Sequence, residues 1–516
     1  MVTNILNRIS LLMVMLISLT AHAYDFSVDG LYYNIVSLPD RTCSLTYKEV
    51  QKINGISGGF NDYDSDSLII PSTVEYAGQT IKVIGVDVQA FEYNTAIKTV
   101  VIPSTIKWLH QECFDGCTSL REVTIEDGET ILNFFKKGRS GYFNDCPIEK
   151  LYIGRQISII DDWDSPFRNL TKLNDVVLTS STTEIVKGMF EGCTSLKCIE
   201  LPSECISIQK NAFSGCTELE AIQFPLNLTL VGDNAFSDCS LLKNAEFLNI
   251  ETIGAGAFNG CSSLEEIIIN DGITELPTSV FQNCSNLSSF RIPNTVEIIN
   301  SSAFRGCSSL RKIQVPSAVT KIGRYSFEGC TSLDSLIFDK GDSKIVLSSC
   351  ATNQAFSIFG VPKNSTIKYL EINRLLSNDY TFYYSGISKL VINTEEMPGI
   401  DLSGINLRES PLQKIYCYNS TPPSMSGISF TTNQYMTVNV YVPQQSLDLY
   451  KSNYYWNKFW QLNGMENSSI NDIIVDNANG SVVYFLPNGI KISQKPSSGL
   501  YFEVKNGIAV KKVGHP

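Results

Sequence analysis

The sequence predicts a repeat solenoid: small stacked coils with a parallel β-sheet along one face and short helices or turns along the other. Three observations predict it. Phenylalanine recurs at Phe114, Phe143, Phe167, Phe190, Phe213, Phe236, Phe258, Phe281, Phe304 and Phe327, with gaps of 29, 24, 23, 23, 23, 22, 23, 23 and 23 residues. Cysteine stands three residues after nine of these phenylalanines, usually with leucine three further on. An alternating apolar run follows. Self-similarity at a fixed period of this length marks a repeat architecture. Phe91, 23 residues before Phe114, begins a degenerate copy, giving about eleven recognisable coils from Phe91 to Phe327.

One unit shows the logic. In Cys307–Pro316, Ile313 and Val315 alternate with Lys312 and Gln314, the period of a strand with one buried face. Pro316 ends the strand because proline cannot donate to a ladder. Gly323 marks a tight turn, and Gly323 to Cys330 forms a short helix or turn on the opposite side. A unit this small cannot bury its own apolar side chains. Stacking supplies the core as columns of Leu, Ile and Phe, with neighbouring strands about 4.8 Å apart.

The chain has 15 cysteines, a count that in an exported protein suggests disulfides. Their placement argues otherwise. Cys117, Cys146, Cys193, Cys216, Cys239, Cys261, Cys284, Cys307 and Cys330 share one slot. A buried thiol packs as a small hydrophobe, whereas a bridge demands restrictive geometry. Leu170 fills the same slot after Phe167, which favours packing. No CxxC occurs, and zinc ligands would fall on different coils.

In chain order, residues 1–23 read as a signal peptide: Arg8, an apolar run from Ile9 to Leu19, then Ala21-His22-Ala23 before cleavage at Tyr24. Residues 24–60 form an N-terminal β cap, with a hairpin signal at Asp29-Gly30. Residues 61–342 are the regular array, starting at Ile69–Val74. The long gap inserts Phe134-Phe135-Lys136-Lys137-Gly138-Arg139, expected to bulge as a loop. Residues 343–468 are degenerate coils, including Lys389–Asn393 and Gln413–Cys417, and a C-terminal cap. Leu449, Tyr450, Tyr454, Trp456, Phe459 and Trp460 are expected to pack a capping helix rather than stack on sugars. Residues 469–516 form a small β tail with Asn-Gly turns at Asn488-Gly489 and Asn506-Gly507.

Units such as Ala212-Phe213-Ser214-Gly215-Cys216-Thr217-Glu218-Leu219-Glu220-Ala221-Ile222-Gln223-Phe224-Pro225 resemble the BspA-type leucine-rich repeats of bacterial surface proteins. The resemblance covers roughly residues 60 to 465. It implies a curved, right-handed leucine-rich-repeat array on the cell surface, often in Bacteroidetes, used for adhesion to host or bacterial partners. Such repeats carry Asn or Cys at a comparable inward position. The tail resembles a C-terminal sorting-type β domain.

Composition narrows the function classes. Hydrophobic residues make up 43% and charged residues 18%, with a net charge of −12. That composition folds, and without a long basic run it lacks a nucleic-acid footprint. No segment after the leader can cross a membrane as a helix. The three histidines are His22, His110 and His515, too few for a Ser-His-Asp triad or most metal sites. His110 reads as a surface turn residue. Asp161-Asp162-Trp163-Asp164 reads as a solvated turn. Asn61–Asp66 alternates acidic side chains but lacks the Gly and distal Glu of a calcium loop.

The expected function is that of a secreted or cell-surface binding protein with no enzyme activity, cofactor or metal, and an extracellular protein or glycan as partner. The alternatives are an envelope scaffold and, behind it, a carboxylate-dependent glycoside hydrolase. The candidate binding residues are the outward strand positions: Glu122, Thr124, Lys150, Tyr152, Glu200, Gln223, Glu246, Glu266, Ile268, Ser289, Arg291, Lys312, Gln314, Ser335 and Ile337.

Overall fold

A computed structural model describes residues 23–53, 56–135, 141–160, 165–347, 367–376, 386–394, 407, 410–425, 430–465, 483–485, 491–492, 499–505 and 508–514. The expected leader through His22, the Lys136–Arg139 and Asp161–Asp164 segments, much of 343–420 and His515 lie outside the described residues.

In the regular array, each described coil has three sides. The first is the expected outer strand, whose inward residues alternate with exposed ones, as in Lys312–Val315. Outer strands stack in parallel and in register. Ser67–Ile69, Thr99–Ile102, Glu122–Ile125, Lys150–Ile153 and Asp175–Leu178 form one sheet. Two short pairs follow, Cys198–Glu200 with Ala221–Gln223 and Asn244–Phe247 with Glu266–Ile269. A seven-stranded sheet runs from Lys312–Val315 through Ser335–Phe338, Tyr369–Ile372, Lys389–Ile392, Lys414–Cys417 and Asn439–Pro443 to Gln461–Met465. The blurred 343–420 stretch therefore keeps coiling wherever it is described.

The second side is a second parallel ladder, where the repeat pattern shows only turns. Glu184–Ile185, Ser207–Ile208, Leu230–Val231 and Thr252–Ile253 pair in one run, and Glu275–Leu276, Ile298–Ile299, Lys321–Ile322 and Val346–Leu347 in another. Two features correct the sequence reading here. Phe134 and Phe135 do not bulge. They lie in Leu132–Phe135, paired to Trp108–His110 on one side and Ile157–Ile159 on the other, with Phe134 fully buried. His110 ends a strand rather than sitting in a turn.

The third side is a turn built around the recurring phenylalanine, with no helix at Gly323–Cys330. Residues two before and two after that ring take positive φ in most coils, as at Asn211 and Gly215, Asn234 and Asp238, Ser279 and Asn283. Gly, Asn and Asp tolerate this region best, and they dominate the slot before cysteine. The rings stack from Phe91 to Phe327 with centroids 5.2 Å (Phe213–Phe236) to 6.4 Å (Phe167–Phe190) apart. Beside them runs the cysteine column. Each slot thiol donates to the carbonyl of the preceding coil's phenylalanine, from Cys117 to Phe91 at 3.2 Å through Cys330 to Phe304 at 3.1 Å. No disulfide occurs among the described residues.

At the N-terminus, Phe26–Val28 and Leu31–Ser37 form a hairpin whose Asp29 and Gly30 both have positive φ. Thr42–Thr46 extends it and joins Gln79–Val86 in parallel, continuing the second ladder. At the other end, the aromatic cluster divides. Tyr450, Trp456 and Phe459 are buried, with Trp456 Nε1 donating to Pro423 O at 2.9 Å. Tyr454 and Trp460 instead stand 70% and 74% exposed. In the tail, Val483–Phe485, Lys491–Ile492, Gly499–Lys505 and Ile508–Gly514 form one antiparallel sheet.

Candidate binding face

Strand alternation mounts the candidate residues. Val123 and Ile125 point into the core, so Glu122 and Thr124 must point out. Parallel register then aligns the outward positions across coils. Glu122 lies beside Lys150, and Thr124 beside Tyr152. Glu200 lies beside Gln223, and Glu246 beside Ile268, with Glu266 next to Asn244. Lys312 faces Ser335, and Gln314 faces Ile337. None of the fifteen candidates is buried. Ser289 and Arg291 depart from the expectation, because their coil has no strand there. Arg291 still points outward but is held by both carboxylate oxygens of Asp271 at 2.9 and 3.0 Å. Tyr152 donates to Asp127 at 2.9 Å, and that bond raises its phenol pKa.

Further residues on this face were hidden by the blurred period after residue 343. Lys389 lies over the rings of Tyr369 at 5.4 Å and Tyr416 at 4.8 Å, and Tyr416 stacks on Tyr441 at 4.8 Å. The alternating pieces Lys389–Asn393 and Gln413–Cys417 were the signal for them.

Several titratable groups elsewhere are engaged by the protein itself. Asp62, in the acidic run near residue 61, accepts from Tyr32 at 2.7 Å and Lys48 at 2.6 Å. Asp66 pairs with Lys98. Burial lowers the pKa of His110, which packs against the Phe135 ring. Burial pushes Glu92 up to about 7 and Asp115 up to about 6. Glu92 accepts the Gly59 N–H, and Asp115 accepts from Asn144. Burial also drives the thiols of Cys193 and Cys330 up to about 12, away from thiolate. Among the described residues, no three His, Cys, Asp or Glu side chains form a group able to hold a metal ion. No described helix is long and apolar enough to cross a membrane.

The BspA type leucine-rich repeat region matches this chain in 6 copies, over residues 85–164, 136–249, 164–287, 242–354 and 275–397. Among solved structures, a leucine-rich repeat protein from Bacteroides ovatus is 23% identical, covering 67% of this chain and 94% of its own, with a TM-score of 0.40. A leucine-rich cell surface protein from Faecalibacterium prausnitzii is 24% identical, covering 61% and 94%, with a TM-score of 0.32. The pneumococcal vaccine antigen PcpA is 17% identical, covering 83% and 96%, with a TM-score of 0.33. No curated protein matches the chain.

Proposed function

Because the chain belongs to the BspA type leucine-rich-repeat family, we propose that it is a secreted or cell-surface protein that binds an extracellular protein or glycan through its outer sheet face. The observation that carries this reading is the row of outward side chains, all solvent-accessible and none needed by the core. Backbone hydrogen-bond ladders hold most of them at fixed spacing within each run of strands, so a ligand meets a preorganised surface and ordering costs are low. In this reading residues 24–60 cap the array, residues 1–23 direct export, and residues 469–516 are a separate β unit of sorting type. The protein acts by binding and performs no chemistry.

The test is a screen of the folded mature chain against arrays of extracellular-matrix proteins, bacterial surface proteins and glycans. We expect selective capture of one class. A variant with Glu122, Lys150, Glu200, Gln223, Glu246, Glu266 and Lys312 all changed to Ser should lose that capture while keeping its thermal transition. Capture that survives in this variant, or its absence from every array, would refute the reading.

A further inference from the structure

The outer sheet breaks between Gln223 and Asn244, where Ala221–Gln223 pairs only backward and Asn244–Phe247 only forward. A groove of about 430 Å³ lies over the break. Its floor includes Phe224, whose ring is fixed against Phe247 at 4.4 Å. Its lip is unusual for this array. Other coils place Ser203, Asn294 and Ser317 at the tip after the strand, whereas here the tip is Leu226, with Leu248 in the next coil. Leu226 is 62% exposed and Leu248 51%, beside Ile268 on the sheet. A soluble surface does not gather exposed aliphatic groups in a concavity without a use for them.

Charge supplies the second observation. Glu246 and Glu266 line the same groove, and among the described residues no cation pairs with either. The surrounding chain is the acidic centre of the protein. From Lys197 to Glu275 it carries twelve carboxylate side chains against three lysines, nine of the twelve net negative charges. Lys243, one of the three, is already paired to Glu220 at 3.3 Å.

We propose that this groove seats an extended peptide segment of a partner protein in which basic and apolar side chains alternate. Apolar side chains rest on Phe224, Leu226, Leu248 and Ile268, and lysine or arginine side chains meet Glu246 and Glu266. The proposal rests on the binding reading above and gives it a place and a partner chemistry. A neutral glycan fits the groove less well, because the aromatic ring that would stack a sugar is turned against Phe247.

The test uses the folded mature chain and fluorescence anisotropy with three fluorescein-labelled decapeptides. One alternates lysine and leucine, one lysine and serine, and one glutamate and leucine. The lysine–leucine probe should bind saturably and the other two at least about tenfold more weakly, because both charge and apolar contact contribute. Leu226→Ser with Leu248→Ser should weaken it about tenfold. Glu246→Gln with Glu266→Gln should weaken it and flatten its salt dependence. Lys321→Ser, exposed on the second ladder and away from the outer face, should change nothing. Equal binding of the lysine–serine probe, no binding of the lysine–leucine probe, or indifference to both groove variants would overturn the proposal. An array ligand that still binds the groove variants would overturn this inference alone and leave the wider binding role standing.

Discussion

Each slot thiol fills a small buried site and gives its proton to a carbonyl one coil back, as Cys239 does to Phe213 at 3.1 Å. Serine would donate as well but loses apolar contact, and alanine leaves the carbonyl with one partner fewer. We expect Cys239→Ala to cost about 1–3 kcal/mol in denaturant unfolding, from a lost hydrogen bond and a small cavity. Cys198 is the exposed cysteine among those described. In the native protein it should react with a thiol reagent within minutes, while the nine slot thiols react only after unfolding. Blocked thiols in the unfolded, unreduced chain would contradict the packing argument. Glu92 adds a pH dependence. Its folded pKa is raised to about 7 by burial, so its stabilising contribution is full below the unfolded value near 4.3 and is lost as pH rises through about 7. The melting temperature should therefore fall between pH 5 and pH 8, and Glu92→Gln should flatten that fall.

At the scale of the coil, one slot shows how neighbours interlock. Gly260 has φ +78°, and a Cβ there would lie 2.3 Å from Asp238 Oδ1 of the preceding coil. Gly215 has φ +75°, but its Cβ would meet only ordinary contacts at 3.6 Å. Gly215→Ala should cost about 1 kcal/mol for the left-handed backbone alone. Gly260→Ala should cost clearly more, about 2–3 kcal/mol, because Asp238 must also move. Equal losses in the two melting curves would refute the interlock. Arg155 and Arg374 are a second device. Each is fully buried and reaches back past a coil, and a Cβ at Gly341 would lie 2.9 Å from the Arg374 guanidinium carbon, so that glycine makes room for it. Arg155 donates to Pro103 O and Ser104 O, and Arg374 to Ser317 O and Ser343 O. Arg374→Ala should cost about 3 kcal/mol, since the carbonyls of Pro316, Ser317 and Ser343 lose their donor. The sequence hid both arginines, because Gly154-Arg155 and Asn373-Arg374 read locally like any solvated turn. It also hid the second ladder, whose two-residue strands are too short to show a period. The phenylalanine and cysteine columns were legible for the opposite reason. Every coil must present the same ring and thiol to its neighbours, so the constraint falls on residue identity at a fixed spacing.

In the whole molecule, the same logic explains how much of the outer sheet face could be read. Outward strand positions follow from inward ones, so thirteen of the fifteen candidates fell on the expected strands. Ser289 and Arg291 fell in a coil whose ladder is interrupted, and alternation alone does not reveal a missing hydrogen bond. The Leu226 and Leu248 lip was legible as residues but not as a groove, because its shape depends on two coils failing to pair. The array is quasi-one-dimensional, so each surface patch is supported mainly by its own and adjacent coils. A ligand should therefore leave a local footprint. The most direct test is hydrogen–deuterium exchange of the protein with and without its captured ligand. The binding account requires new protection on the outer strands, centred on Ala221–Gln223, Asn244–Phe247 and Glu266–Ile269 if the groove is the seat. Protection confined to the phenylalanine turns or to the second ladder would show that the outer face is not the surface this protein uses.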